Sequence, residues 1–165
     1  MCTSDGIAAE GYEILFQGVT SKLTQKEKQQ VFEQLGFRVS EQGKFFVEYC
    51  DQGVSPEVEI VDLNGDGVEE VFVYWGNLLT SGNTERSLSL FIKDTAGQYV
   101  MNLGFPAVAY RRLATKNHGF PDLEFDGAGL CRGVWRWNGR EYDYKCSRED
   151  EPGGCIPRGV DTLCE

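Results

Sequence analysis

Histidine is nearly missing. His118 is the only one in 165 residues, and the six cysteines include no CxxC pair. Imidazoles and paired thiolates are the usual donors of a structural zinc site, so their scarcity argues against one. Positive charge is the second shortage. Sixteen Lys and Arg stand against twenty-six Asp and Glu, a net charge of −10, which repels nucleic-acid phosphates and anionic lipid and offers neither a basic stripe. The same charge favours encounter with a basic protein partner. Long hydrophobic runs are the third shortage. No stretch reaches the roughly 18 apolar residues of a membrane span, and no charged segment leading into an apolar one marks a secretory signal at Met1. A lipid anchor at the native N-terminus stays open. No internal repeat with a period of about 20 to 50 residues is present, which speaks against a solenoid or a propeller.

What is present describes a folded protein. Apolar residues make up 41% and aromatic ones 12% of the chain, enough for a core, and the length suits a single domain over residues 1–165. Cys2, Cys50, Cys131, Cys146, Cys155 and Cys164 form an even set, read as three disulfides. Disulfides place the chain in an oxidising compartment, periplasmic or extracellular, with a signal peptide expected to have been removed. In "CRGVWRWNGREYDYKC" the Asn138-Gly139 pair reads as a two-residue hairpin turn, with Cys131 and Cys146 each seven residues from it. That register sets them opposite one another, with Cα atoms about 5.5 Å apart, and predicts a Cys131–Cys146 bridge. The other four allow three pairings, of which Cys155–Cys164 with Cys2–Cys50 is preferred.

The pattern of residues predicts an α+β fold: a helical part over 1–36, an antiparallel sheet or meander over 37–146, and a disulfide-tethered tail over 147–165. "AAEGYEILFQG" reads as a short helix. In "LTQKEKQQVFEQLG" Thr24 and Glu27 form a capping box, Val31, Phe32 and Leu35 make one apolar face, and Gly36 ends the helix. Short apolar runs broken by Gly, Asn and Asp then indicate hairpins. "SLSLFIKDTAGQYVMNLG" gives two strands about Ala96-Gly97, whereas "FPAVAYRRLAT" is compatible with helix or strand. On the last hairpin Trp135, Trp137, Tyr142 and Tyr144 share one face, expected to be core. Arg132, Arg136, Glu141, Asp143 and Lys145 share the other.

Between two strand-like runs lies "VDLNGDGVEEVFV". Asp62, Asn64 and Asp66 put oxygen donors at positions 1, 3 and 5 of a tight loop, Gly67 permits the turn at 6, Val68 offers a carbonyl at 7, and Glu70 stands at 9. Such spacing suits a hard cation with six to eight oxygen ligands, calcium above magnesium. An acidic hairpin turn accounts for Asn64-Gly65 or Asp66-Gly67 singly, but not for the whole spacing. The stretch resembles the DxNxDG calcium loops of EF-hands, dockerins and the FG-GAP or VCBS-type repeats of secreted bacterial proteins. Val73 stands where an EF-hand needs its bidentate Glu, and the flanks read as strands, so the likeness is to the FG-GAP type. That resemblance implies Asp62, Asn64, Asp66, the Val68 carbonyl and Glu70 as Ca²⁺ ligands.

Catalytic signals are weak. His118, just before Gly119, reads as a turn residue tolerant of positive φ, and Cys50 as a disulfide partner more than a nucleophile. Asp122, Glu124 and Asp126 alternate on one face of a strand. They read as the solvated side of an edge strand, with a small secreted hydrolase as the alternative. A carbohydrate-binding or adhesion module using the aromatic hairpin is a further alternative. A small, acidic, disulfide-bonded protein of this kind is similar in general character to inhibitors of wall-degrading enzymes, including immunity proteins that neutralise type VI secretion effectors. The expected function is thus non-catalytic: calcium binding together with binding of another protein, such as a basic wall hydrolase.

Overall fold

The computed structural model describes residues 8–47, 53–159 and 162–165. Helix α1 (Ala8–Leu15) is followed by α2 (Gln25–Leu35), which begins at the Thr24–Glu27 capping box and ends at Gly36 in a left-handed conformation. Gly11 lets the two helices approach, because a Cβ there would lie 2.2 Å from the Phe32 ring. A ribbon of three very short strands comes next: β1 (Arg38–Val39), β2 (Phe45–Phe46) and β3 (Gly53–Val54). Two four-stranded antiparallel meanders complete the fold. The first runs β4 (Glu57–Val61), β5 (Glu70–Trp75), β6 (Ser87–Lys93), β7 (Tyr99–Pro106). The second runs β8 (Ala109–Asn117), β9 (Phe120–Asp126), β10 (Cys131–Trp137), β11 (Tyr142–Glu149).

The one sheet expected over 37–146 is therefore divided into the ribbon and two meanders. Only Ala107 and Val108 separate β7 from β8, and at this corner the Ala107 amide bonds to Arg86 while the Val108 amide bonds to Asp126. The chain leaves one sheet and enters the other with both amides of the step bonded. "FPAVAYRRLAT" is this corner and the start of β8, so its helical option is not realised.

The first meander is the middle layer. Its helix-facing side carries Val71, Val73, Phe91 and Tyr99 against Leu15, Phe16, Val31, Phe32 and the ribbon's Phe45. Its other side carries Phe72, Leu88, Leu90 and Leu103 against Phe120, Leu123, Phe125, Trp137 and Tyr142 of the second meander. Strands β5 and β6 are buried on both faces, which is why β5 reads as a continuous apolar run after Glu70, while β6 carries Ser87 and Ser89 into the interior. Across the sheet–sheet interface Phe72 stacks on Tyr110 at 4.0 Å, and Phe105 meets Phe125 at 4.9 Å and Trp135 at 5.4 Å. The aromatic face of the last hairpin is accordingly core at Trp137 and Tyr142, while Tyr144 at its margin stays exposed.

Strand β7 is an outer strand of its sheet, and α2 covers it. Gln30 accepts the Tyr99 amide (3.0 Å), and Gln34 donates to the Tyr99 carbonyl (2.7 Å) and accepts the Met101 amide (2.9 Å). Two glutamines one helical turn apart thus answer the backbone groups that an absent neighbouring strand would have answered.

The disulfides differ from the expected pairing. Cys131 is bonded to Cys155 and Cys146 to Cys164, so neither Cys131–Cys146 nor Cys155–Cys164 forms. Cys2 and Cys50 lie outside the described residues. The physical reason is the turn. Asn138 uses its side-chain oxygen to accept the amides of Arg140 and Glu141, so it opens a four-residue loop instead of occupying the centre of a two-residue one. Trp137 then pairs with Tyr142, and a bulge between Val134 and Trp135 adds a further residue of slip, leaving Cys131 opposite Glu149 and Cys146 opposite Val134. The two-residue hairpin loop of this sheet is His118-Gly119 between Asn117 and Phe120, both residues at positive φ (48° and 83°).

Phe72 is fully buried between the two sheets. Phe72→Ala should cost about 3–5 kcal/mol in urea unfolding, the usual range for emptying a core aromatic site.

Candidate functional site

Two groups of charged residues stand out, at different places on the sheets. The first is the loop joining β4 to β5. The Asp62 carboxylate accepts the amides of Gly65 (2.7 Å), Asp66 (3.2 Å) and Gly67 (2.9 Å), and these bonds hold its acid well below the usual carboxylate range. Asn64 accepts the Asp66 amide and donates to the Asp66 carboxylate, which in turn accepts the Val68 amide (2.8 Å). Glu70 lies beneath, only 2% exposed, and accepts the Leu63 amide (2.6 Å). Burial, together with repulsion from Asp66 and Asp62, pushes Glu70 up to about 7.

The donor set is all oxygen, which suits a hard cation. Three carboxylates repel one another around Glu70, which a bound cation would relieve. Among the described residues, however, no three acidic, histidine or cysteine side chains converge closely enough to hold a metal ion as they stand. The loop is closed by its own amides.

The second group lies on the outer face of the second meander. Asp122 and Glu124 are 0% and 1% exposed, and their strand β9 sits inside the sheet, between β8 and β10. The expected edge strand with solvated carboxylates is thus overturned. Charge can be buried there because it is paired. Asp122 accepts two bonds from Arg136 (both 2.9 Å), one from the Thr115 hydroxyl (2.6 Å) and one from Lys145 (3.2 Å). Glu124 is bridged by Arg111 on one oxygen and Arg148 (3.0 Å) on the other. Asp126, at the end of the row, pairs with Arg132, which also holds Asp150 (2.7 and 2.9 Å). Burial alone would raise the Asp122 acid, but the bonds from Arg136, Thr115 and Lys145 outweigh it and keep the group below its ordinary value. A general acid needs the reverse shift. The residues that sequence reasoning missed are these partners, above all Thr115, Arg111 and Arg148. The signal was available in the acidic face of β9 and the basic face of the neighbouring hairpin.

No family model, no curated protein and no solved structure matches this chain. Its function is argued from its own chemistry.

His118 sits in the tight β8–β9 turn, its ring facing Gly139 of the β10–β11 turn. Cys50 lies outside the described residues. Exposed apolar side chains, by contrast, are gathered. The meanders place the β5–β6 loop, the β7–β8 corner, the β9–β10 loop and the segment after β11 at one end of the sheets. Close approaches tie these together: a Cβ on Gly127 would lie 3.6 Å from Thr84, Arg158 donates to the Ala128 carbonyl, and the Asp150 amide donates to the Leu130 carbonyl.

Glu70 supplies a pH test. Its acid stands at about 7 in the fold against an ordinary 4.5, so between these values the native state binds the extra proton. Its contribution is greatest below about pH 4.5 and is lost as pH rises through 7. In chelator, stability should fall by roughly 3 kcal/mol over that window because of this group, and Glu70→Gln should flatten the slope measured by urea unfolding at several pH values.

Proposed function

We propose that this chain is a non-catalytic periplasmic or secreted protein-binding domain, an inhibitor of a basic cell-wall-degrading enzyme in the manner of immunity proteins against type VI secretion effectors. One observation carries the reading. Of nine large apolar side chains exposed among the described residues, five lie on the loops of one end: Leu78 (60%), Leu79 (78%), Val108 (43%), Leu130 (45%) and Ile156 (75%). Apolar side chains on loops fixed by a scaffold are what a partner's pocket accepts at little ordering cost.

The loops are fixed by local bonds. Asn77 caps the short helix α3 (Leu78–Ser81), and Cys131–Cys155 ties the segment bearing Ile156 to β10. Glu85 and Glu151, both exposed, belong to the same end together with Arg158, and the net charge of −10 draws a cationic partner toward the protein as a whole. Two disulfides fit an oxidising compartment, and no helix among the described residues is long and apolar enough to cross a membrane.

The acidic loop has a bracing role in this proposal. A calcium ion shared by Asp62, Asn64, Asp66, the Val68 carbonyl and Glu70 would replace repulsion with attraction and stiffen the β4–β5 corner.

With a basic peptidoglycan hydrolase as the probe, the protein should form a complex on size-exclusion chromatography and suppress wall hydrolysis. Leu79→Asp with Ile156→Asp should weaken this at least about tenfold, the effect of losing central apolar anchors, with an unchanged melting temperature. Hydrolysis of peptidoglycan by the purified chain alone would overturn the non-catalytic reading. Calcium should raise the melting temperature of the wild type and not of Asp62→Ala; a wild-type melting curve indifferent to calcium and chelator would remove the bracing role.

A further inference from the structure

The outer face of the second meander contains a groove of about 590 Å³, a volume typical of small-molecule sites. One wall is a bulge in β8. Arg112 pairs with Leu123 and Lys116 with Pro121, so Leu113, Ala114 and Thr115 together stand opposite Asp122. Three residues against one force the strand out of the sheet line. The other wall is the tail, bound along β11 by Ser147 donating to Thr162 (2.9 Å) and Cys164 donating to Ser147 (2.8 Å), and locked by Cys146–Cys164. Both walls are therefore held independently of any ligand.

The lining divides into two kinds of surface. Leu113, Ala114, Val134, Leu163 and the Cys146–Cys164 bridge are apolar, and Val134 is only 2% exposed. Lys145 and Arg148 bring positive charge, with side chains 37% and 55% exposed. Each is oriented by a carboxylate buried below it, Lys145 by Asp122 and Arg148 by Glu124, and each spends a single hydrogen bond there. An ammonium has three donors and a guanidinium five, so most of their capacity remains for an anion. Glu165 also lines the groove, so a ligand there meets two positive side chains and one negative one.

We propose that this groove binds a free small amphiphile with one anionic head and an apolar body, a medium-chain carboxylate being the simplest member. The head takes Lys145 and Arg148, and the body lies along Val134, Leu113, Leu163 and the disulfide. The cations are already ordered by the buried carboxylates, which lowers the cost of binding. The inference does not depend on the loop end described above.

Decanoate, below its micellar concentration, is the probe in isothermal titration calorimetry of the full chain. One-to-one binding is expected, with decylammonium at least about tenfold weaker because it cannot form the charge-assisted bonds. Ala114→Trp, which fills the groove without touching a charge, should abolish binding, and Arg148→Met should weaken it about tenfold. Equal affinity for decanoate and decylammonium, undiminished binding by Ala114→Trp, or no decanoate binding at millimolar concentration would each overturn the proposal. So would binding to anionic phospholipid vesicles in place of free decanoate.

Discussion

The central strands of the first meander, β5 and β6, have almost no surface turned to water, and most of the architecture answers to that constraint. Val71, Val73 and Phe91 point one way, Phe72, Leu88 and Leu90 the other, and all six are fully buried. Each is worth about 1.5–3 kcal/mol of transfer from water, which a two-layer arrangement would forfeit on one side. Helices α1 and α2 with the ribbon cover one face, and the chain turns over at Ala107–Val108 so that the second meander covers the other. The polar residues carried into this interior are paired: Ser87 with Ser81, Ser89 with Trp75, and Glu70 with the Leu63 amide.

The second meander solves a different problem, since only its inner face is covered. A solvated outer face would ordinarily alternate polar side chains along exposed strands. Here the two central carboxylates are roofed over by longer cationic side chains from β8, β10 and β11. Removing two carboxylates from water is costly, and pairing only offsets it, so the row is weak as a source of stability. It does fix which side chain stands where. Arg136 can satisfy Asp122 with both Nε and Nη2 only if β9 and β10 keep their register, and Lys145 and Thr115 extend the same demand to β11 and β8. The hydrogen-bond pattern therefore specifies the sheet's alignment.

Legibility from sequence followed the range of the interaction. The α2 capping box, the hairpin of β6 and β7 and the aromatic hairpin were readable because three to ten neighbouring residues decide them. The disulfides were not, because a side-chain bond at Asn138 and one bulge beside Val134 shift the register by three residues over a single hairpin. Asp122 and Glu124 alternate as an edge strand would. Their burial depends on Arg136, Arg148 and Arg111 arriving from three other strands, which no local pattern records. The acidic loop reads as a calcium site in preference to a plain turn; in the structure the oxygens of Asp62, Asn64 and Asp66 accept the loop's own amides.

The glutamines of α2 bear on how an edge of the first meander is closed to strand addition. The far edge of the first meander, β4, is short and carries Glu57 and Glu59, a charge that discourages strand addition. At β7 the protection is of another kind, because Gln30 and Gln34 occupy the amide and carbonyl sites that a second copy of the chain would need. A helix thus acts as a decoy strand, and strand addition over Tyr99–Met101 at the start of that edge is opposed by two side-chain amides.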